Sequence, residues 1–149
     1  MRAVVQRVTQ ARVTINGNET RTIGPGLVIL LGVRLEDTEA DARALALKLA
    51  QLRLFEDDEE RINRSLKDTG GAALVVSNFT LYGDCRKGRR PSFTAAARPA
   101  EANALYQLFV RCLREQISQV ETGEFQAKMN VVINNDGPVT LLVDSEKRI

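Results

Sequence analysis

The amino-acid sequence contains no histidine among its 149 residues. Catalytic arrangements of the Ser-His-Asp and Cys-His types are therefore excluded within this chain, because each needs an imidazole as its base. A zinc site would also have to form without its commonest nitrogen ligand. Any catalysis must use other groups, and we expect neither a metal nor another cofactor.

Cysteine is also scarce, since the chain has only Cys85 and Cys112. Their spacing forms neither a CxxC motif nor a disulfide framework, and the first residues, MRAVVQRV, lack the layout of a signal peptide. No apolar stretch approaches the roughly 18 residues that a membrane helix needs. We therefore expect a soluble protein of the reducing cytoplasm, with no membrane partner.

The chain has no strong excess of charge of either sign: 21 Lys and Arg residues against 19 Asp and Glu residues give a net charge of +2. Contact with a nucleic acid would therefore have to come from a local cluster of basic residues. The segment CRKGRR contains such a cluster, which could be a solvated loop or could bind the phosphates of an RNA. The candidate phosphate ligands are Arg86, Lys87, Arg89 and Arg90. We do not expect DNA as a partner.

The hydrophobic pattern predicts one α+β domain over residues 1–149. Period-two alternation and short apolar runs predict strands, while apolar residues at helical spacing predict two amphipathic helices. The prediction is strands over 2–15, 20–23, 27–33 and 72–81, helices over 38–54 and 99–118, and a final hairpin of 128–133 with 139–143. The polar segment 56–71 is predicted to be a surface connection with Ile62 and Leu66 turned inward. Closed, barrel-like, antiparallel-rich sheets with both helices packed outside fit this order.

The buried strand of 72–81 ends in an unusual polar stretch, SNFTLY. Strand geometry would place Ser77, Phe79 and Leu81 on one face and Asn78 and Thr80 on the other. The stretch could be a strand that leaves the core for solvent. It could also be the floor of a site where freed backbone N–H groups stabilise an oxyanion.

Several separated blocks of the sequence resemble the D-aminoacyl-tRNA deacylase family. They are MRAVVQRVTQARVTI, GLVILLGV, LVVSNFTLYGD, RRPSF, ALYQLFV, TGEFQAKM and NDGPVT, and together they cover nearly the whole chain. The resemblance implies a homodimer of barrel-like subunits with active sites at the subunit interface. It also implies hydrolysis of the ester between a D-amino acid and the terminal adenosine of a tRNA.

The resemblance implies a role for the last block, which by pattern alone would be an ordinary turn. In such proteins the Gly-Pro peptide, here Gly137-Pro138, is cis and enters the active site of the other subunit, where its carbonyl groups face the substrate's α-amino group. A backbone fixed where an L side chain would lie rejects L-substrates by collision. Glycine and many D-amino acids would be accepted, because the filter does not grip the D side chain.

The resemblance implies catalytic roles for Ser77, Asn78, Phe79 and Thr80. Asn78 departs from the glutamine usual in the family, which puts a role of its side-chain amide in doubt but not one of its main-chain donor. Two mechanisms stay open. Thr80 could be a covalent nucleophile, although it lacks a histidine base. Water could instead attack, with the oxyanion held by backbone N–H groups near Phe79 and Thr80 and the ribose 2′-OH helping to position the water.

Substrate-binding roles follow from the same resemblance for Arg7, near the Gly-Pro element, and for Phe125 and Met129 in an adenosine pocket. Phe125 and Met129 could equally be core residues. Two other classes of function remain open: a non-catalytic RNA-binding module, and a general esterase with a threonine nucleophile.

Overall fold

The computed structural model describes residues 1–148. Its elements are β1 (Arg2–Ile15), β2 (Glu19–Ile23), β3 (Gly26–Gly32), α1 (Glu39–Gln51), β4 (Arg53–Glu56), β5 (Ile62–Ser65), α2 (Leu66–Thr69), β6 (Ala72–Ser77), a 3-10 helix (Phe79–Tyr82), α3 (Pro99–Gln116), β7 (Val120–Thr122) and β8 (Met129–Asp144). No helix within residues 1–148 is long and apolar enough to cross a membrane.

The main sheet has six strands, in the order β2-β1-β3-β6-β7 with β8 paired to β1. One edge of β1 pairs first with β3 and then with β2, and β8 runs antiparallel along the other edge. The β3–β6 and β6–β7 pairs are parallel. The ends of the path meet, because Arg21 in β2 donates a hydrogen bond of 2.8 Å to the carbonyl oxygen of Thr122 in β7. The predicted α+β class with a barrel-like, antiparallel-rich sheet is confirmed.

Two apolar cores cover the two faces of the sheet. Along β3, Leu27, Ile29 and Leu31 pack into the core that also contains the buried faces of α1 and α3. Val28, between them, packs into the second core with side chains of β1 and β6. Because both faces are covered, β3 reads as a continuous apolar run rather than an alternating one.

The first predicted helix is too long in the sequence-based assignment. Helix α1 begins after Thr38, which forms a capping box with Asp41. It ends at Gln51, and Arg53–Glu56 forms β4 instead. Leu54 continues the helical spacing of apolar residues, but it is buried because it points inward from β4. The second helix, α3, is confirmed and ends at Gln116.

The segment predicted as a surface connection contains β5 and α2. The inward position of Leu66 is confirmed, whereas that of Ile62 is wrong, since Ile62 is 56% exposed. Ser65 and Asp68 form a capping box that begins α2. This spacing of serine and an acidic residue is a helix-start signal that the predicted assignment did not use.

The strand predicted over 72–81 ends at Ser77, and residues 79–82 form a 3-10 helix. The predicted alternation of Ser77, Phe79 and Leu81 against Asn78 and Thr80 is therefore wrong. The strand ends because its neighbour β3 ends: Ser77 is opposite Leu31, and the amide of Asn78 makes the last bond, 2.8 Å, to the Leu31 carbonyl oxygen.

The predicted C-terminal hairpin is also wrong. Residues 129–144 form one strand, β8, and both of its halves pair with β1 rather than with each other. Between the pairs Gln6↔Thr140 and Val8↔Asn135, four residues of β8 (136–139) lie opposite one residue of β1. The Gly-Pro signal therefore marks an irregular β-bulge of four residues and not a chain reversal.

Candidate functional site

A cavity of about 620 Å³ opens where β6 ends. It is bounded by the end of β6, the segment before α3, the start of α3 and the segment that leads into β8. Its walls are formed by Val33, Ser77, Asn78, Phe79, Phe93, Ala96, Ala97, Pro99, Ala102, Phe125, Gln126, Ala127 and Met129. Five of the residues predicted from the sequence therefore meet here: Ser77, Asn78, Phe79, Phe125 and Met129.

The floor of the cavity is the transition from β6 to the 3-10 helix. The first amides of a helix have no partner within the helix. Among residues 1–148, neither the Phe79 nor the Thr80 amide donates a hydrogen bond to another backbone or side-chain group. Two backbone donors are therefore free beside the cavity, which is the arrangement expected of an oxyanion-binding site.

Thr80 does not line the cavity, and its side chain is exposed. Its hydroxyl group donates a hydrogen bond to the side-chain carbonyl oxygen of Asn78, which does line the cavity. The amide of asparagine is not a base at neutral pH, so this contact orients the threonine hydroxyl without activating it as a nucleophile.

The cavity walls carry no ionisable side chain within the part of the chain that the structure describes. A wall group therefore cannot act as a general acid or base through an ordinary carboxyl, amine or imidazole. The described wall residues of this chain offer hydrogen bonding and apolar contact.

Apolar and aromatic side chains form the other walls. Phe125 packs against Tyr106 at a ring-centroid distance of 6.1 Å and also contacts the core under α3. Met129 belongs to the edge of the other core. Both residues thus have the cavity on one side and a core on the other, and their role in binding adenosine stays a prediction. Phe79 and Phe93 meet edge to face at 5.2 Å, a favourable aromatic geometry.

Arg7 lies opposite the β-bulge of β8 and is buried, with 6% of the residue exposed. Its Nη1 atom donates a hydrogen bond of 2.8 Å to the carbonyl oxygen of Leu54. Its Nε atom lies 3.1 Å from Asp136 Oδ2, at an angle outside hydrogen-bond geometry, so this contact is an ion pair. Asn135 closes the bulge by donating from Nδ2 to the carbonyl oxygens of Arg7 and Val139, at 2.9 and 3.0 Å.

The peptide bond between Gly137 and Pro138 is cis. Both residues are exposed, and neither lines the cavity of its own chain. Arg7 does not line it either. The structure thus brings together Arg7, Asp136 and the Gly-Pro element at one place and the strand-end residues at another.

The basic segment forms a loop whose base is a two-residue bridge, in which the amides of Asp84 and Ser92 donate to each other's carbonyl oxygens at 2.7 and 3.0 Å. Arg86 pairs with Asp84 at 2.7 Å, and this hydrogen bond lowers the pKa of Asp84 to about 2. Lys87, Arg89 and Arg90 are exposed and form no ion pair within residues 1–148. These three cations are available to a polyanion.

The sequence-based analysis missed Phe93, the alanines before α3 and Gln126 as wall residues. Phe93 lies in the block RRPSF, which contributed to the resemblance without suggesting a role for its phenylalanine. Small residues such as Ala96 and Ala97 carry no chemical signal, and only their position around the opening makes them part of the site.

Two solved structures share this fold. One, named c-Myc DNA Unwinding Element Binding Protein, aligns with a TM-score of 0.91 and 40% identity, covering 97% of this chain and 98% of that chain. The other, a structural analysis of a probable eukaryotic D-amino acid tRNA deacylase, has a TM-score of 0.84 over 95% of this chain and 97% of that chain. At 19% identity, this second likeness shows the fold alone. These two structures therefore define the fold class of this chain.

Relatives of known name narrow this class. The D-aminoacyl-tRNA deacylases of Symbiobacterium thermophilum and Thermus aquaticus are 59% and 57% identical to this chain, and each comparison covers 99% of this chain and 97% of the relative. The family model described as D-Tyr-tRNA(Tyr) deacylase matches residues 4–144. The chain belongs to this deacylase family.

Proposed function

We propose that this chain, as one domain, hydrolyses the ester bond of D-aminoacyl-tRNA and releases a free D-amino acid and tRNA. The observation that carries the proposal is the cavity at the end of β6, where Ser77, Asn78 and Phe79 face Phe125 and Met129 beside two unpaired backbone donors. Membership of the deacylase family supplies the class of substrate.

The proposed chemical step is attack by water on the ester carbonyl carbon. The oxyanion would be stabilised by the amides of Phe79 and Thr80, and the 2′-OH of the terminal adenosine would position the water. The absence of ionisable groups from the described walls supports a substrate-assisted step. It weighs against Thr80 as a nucleophile, since no adjacent base is available to activate the hydroxyl group.

The proposed binding mode places the terminal adenosine against Phe125 and Met129. Aromatic and apolar walls with few polar groups are typical of a small-ligand pocket. The cations of the loop, Lys87, Arg89 and Arg90 together with Arg86, would contact backbone phosphates and position the RNA without reading its sequence.

Stereochemical selection is proposed to depend on the carbonyl groups of Gly137 and Pro138, presented to the cavity of a second copy of the chain. A thousandfold preference corresponds to about 4 kcal/mol. Gain or loss of one methylene group in a pocket changes the discrimination between two substrates by only about 1 to 3 kcal/mol. Steric exclusion of the L side chain therefore discriminates more strongly than added contacts to the D side chain would. Glycyl-tRNA, which has no side chain to exclude, would also be a substrate.

Homodimer formation is proposed on two grounds. The Gly-Pro element is exposed and lies away from the cavity of its own chain. It belongs to β8, an edge strand in the isolated chain that exposes Val132, Leu141 and Leu142. Long edges with exposed apolar side chains are normally covered in native proteins.

The activity is tested by incubating the purified protein with D-tyrosyl-tRNA and L-tyrosyl-tRNA. We expect release of D-tyrosine only. Binding of both without release would favour an RNA-binding module. Cleavage of simple esters, together with loss of all turnover in Thr80→Ala, would favour a general esterase.

The dimer is tested by mixing two variants, each of which is expected to hydrolyse D-tyrosyl-tRNA poorly by itself. Gly137→Ala alters the donated element, and Ala96→Trp fills the receiving cavity. In a mixed dimer, the Gly137→Ala subunit has an intact cavity and the Ala96→Trp subunit has an intact Gly-Pro element. The two come together only if the Gly-Pro element of one subunit enters the cavity of the other. Recovered activity supports the proposal, whereas no recovery in mixed dimers verified by mass would overturn it.

A further inference from the structure

A second cavity, of about 700 Å³, lies at the other end of the 3-10 helix from the first. Phe79, at the start of this helix, lines the first cavity, and Tyr82, at its end, lines the second. The two cavities also share the segment before α3, since Ala96 lines the first and Ala95 the second. Arg86 belongs to the second cavity, which therefore lies between the candidate active site and the basic loop.

The walls of this second cavity carry an excess of positive charge. They contain four guanidinium groups and two carboxylates, a difference of two charges. These groups are Arg2, Arg34, Arg86 and Arg148 against Asp84 and Glu146. Both carboxylates are already engaged, Asp84 by Arg86 and Glu146 by Arg34 and Arg148. The other acidic partners, Asp144 of Arg2 and Glu36 of Arg34, do not line the cavity.

Three buried polar groups of the walls make no hydrogen bond within residues 1–148, and one of them, Arg34 Nε, is instead in an ion pair with Glu36 at 3.0 Å. The hydroxyl group of Tyr82 is buried and makes no hydrogen bond within residues 1–148, and only 7% of the residue is exposed. The Nε–H group of Arg2 is buried and likewise unpaired in the same part of the chain. The Arg2 guanidinium stacks on the Tyr82 ring at 4.9 Å, and its Nη1 atom donates a hydrogen bond of 3.0 Å to the Leu81 carbonyl oxygen.

Unpaired buried donors are uncommon because each retains the cost of its lost hydration. Here they occur in a cavity lined by arginine, whose fork of N–H groups matches the oxygens of a phosphate. The hydrogen bond of Arg2 to the Leu81 carbonyl also ties this cavity to the same 3-10 helix whose first residue, Phe79, lines the first cavity.

We propose that the second cavity binds a backbone phosphate of the single-stranded 3′ end of the tRNA, on the 5′ side of the terminal adenosine. The proposal rests on the proposed function, because the terminal adenosine has to occupy the first cavity. Arg34, Arg148 and the Tyr82 hydroxyl would bind the phosphate. Ion pairing there would hold the RNA chain between the active site and the basic loop.

The experiment compares two substrates, D-tyrosyl-tRNA and the D-tyrosyl ester of adenosine, which has no upstream phosphate. The variants are Arg148→Ala, Tyr82→Phe and Arg34→Gln. Arg12→Ala, which removes an exposed arginine further along β1, is the matched control. Arg2 is left intact because its removal would leave the buried Asp144 without its partner.

We expect KM for D-tyrosyl-tRNA to rise roughly tenfold in each cavity variant, as for loss of one charge-assisted hydrogen bond, with kcat unchanged. The rise in KM for the D-tyrosyl ester of adenosine should be several times smaller. The slope of log KM against log salt should fall by about 0.7 in the two arginine variants, the value for one neutralised phosphate on a single strand. Arg12→Ala should change neither quantity.

Equal effects on both substrates, or an unchanged salt slope, would overturn the phosphate site while leaving the proposed function intact. A wild-type protein that hydrolyses neither substrate would instead overturn the proposed function, and this inference with it. Thermal unfolding of each variant identifies any effect that comes from misfolding. Tyr82→Phe is the variant least expected to misfold, because it removes only a hydroxyl group that has no hydrogen-bond partner within residues 1–148.

Discussion

The hydroxyl group of Thr80 donates a hydrogen bond to the side-chain carbonyl oxygen of Asn78. Asn78 lines the candidate active site, whereas Thr80 does not. The donor of the threonine is therefore committed, and its lone pairs remain available to accept a hydrogen bond from water or from a ribose hydroxyl. The pair is suited to positioning a nucleophile rather than to being one.

Thr80→Ala should consequently lower kcat for D-tyrosyl-tRNA by no more than about tenfold, a loss of about 1.4 kcal/mol. For the wild-type protein, a D-tyrosyl-tRNA that ends in 2′-deoxyadenosine should lower kcat by more than Thr80→Ala does. The reason is that this substrate lacks the hydroxyl group that positions water. Single-turnover rates measure both effects. A loss of several orders of magnitude in Thr80→Ala, with the deoxy substrate hardly affected, would identify Thr80 as the nucleophile.

Asn78→Ala should lower kcat by a factor of about 2 to 10, the loss expected for one hydrogen bond of 0.5 to 1.5 kcal/mol. The cause is the freed rotation of the Thr80 hydroxyl group. Asn78→Gln should retain most of the activity, since the longer amide can still accept that hydrogen bond and the backbone donors do not change. If Asn78→Gln is as defective as Asn78→Ala while both unfold at the wild-type temperature, the side-chain hydrogen bond is not what the site requires.

Gly137→Ala should destabilise the protein by about 1 to 3 kcal/mol and impair hydrolysis. Gly137 has φ of +114°, and a Cβ atom there would lie 2.9 Å from Val139 Cγ2 and 3.0 Å from Arg7 Nη2. Gly24→Ala is the matched control, because Gly24 has no positive φ and no atom within 4 Å of the added carbon. Urea unfolding measures both variants. Equal stability of the two variants would show that the bulge tolerates a side chain.

Replacement of Arg89 and Arg90 by alanine should raise KM for D-tyrosyl-tRNA without changing kcat, because these cations position the RNA through its phosphates but do not take part in the reaction. The slope of log KM against log salt should fall by about 0.7 for each phosphate that is no longer neutralised. Both residues are exposed, so the free energy of unfolding should stay within about 0.5 kcal/mol of the wild-type value. Arg43→Ala, on the exposed side of α1, serves as the control. A change in kcat would place these arginines in the chemical step.

Tyr106→Phe should cost about 1 kcal/mol of stability at neutral pH, because the Tyr106 hydroxyl donates a buried hydrogen bond of 3.0 Å to the Val75 carbonyl oxygen. Burial raises the pKa of Tyr106 from 10.0 to about 12. The folded state therefore holds this proton more tightly than the unfolded state. The corresponding stability is complete below pH 10 and is lost as the pH rises through about 12.

The wild-type advantage over Tyr106→Phe should accordingly shrink above pH 10, because the variant has no phenol to titrate at this position. Unfolding in urea at a series of pH values measures the difference. A constant difference across this range would show that the phenol ionises alike in the folded and unfolded states.

Part of the fold could be predicted from local pattern, as β3 and α3 illustrate. In β3 a short apolar run marks a strand covered on both faces, and in α3 apolar residues recur at helical spacing after a proline. The failures share one cause. The end of β6 is set by the end of its neighbour β3, and the Gly-Pro segment stays in β8 because β1 extends past it on both sides. Neither fact is local to the segment.

The same division holds for the site. The sequence by itself determined the chemistry that is excluded, through the absence of histidine, and the residues of the polar strand end, because these depend only on residue identity. Tertiary structure alone decided that Ser77, Asn78 and Phe79 face Phe125 and Met129 across a cavity, while Arg7 supports the Gly-Pro bulge elsewhere. Such arrangements join residues that are far apart in the chain, and strand pairing and packing create them only when the whole sheet closes.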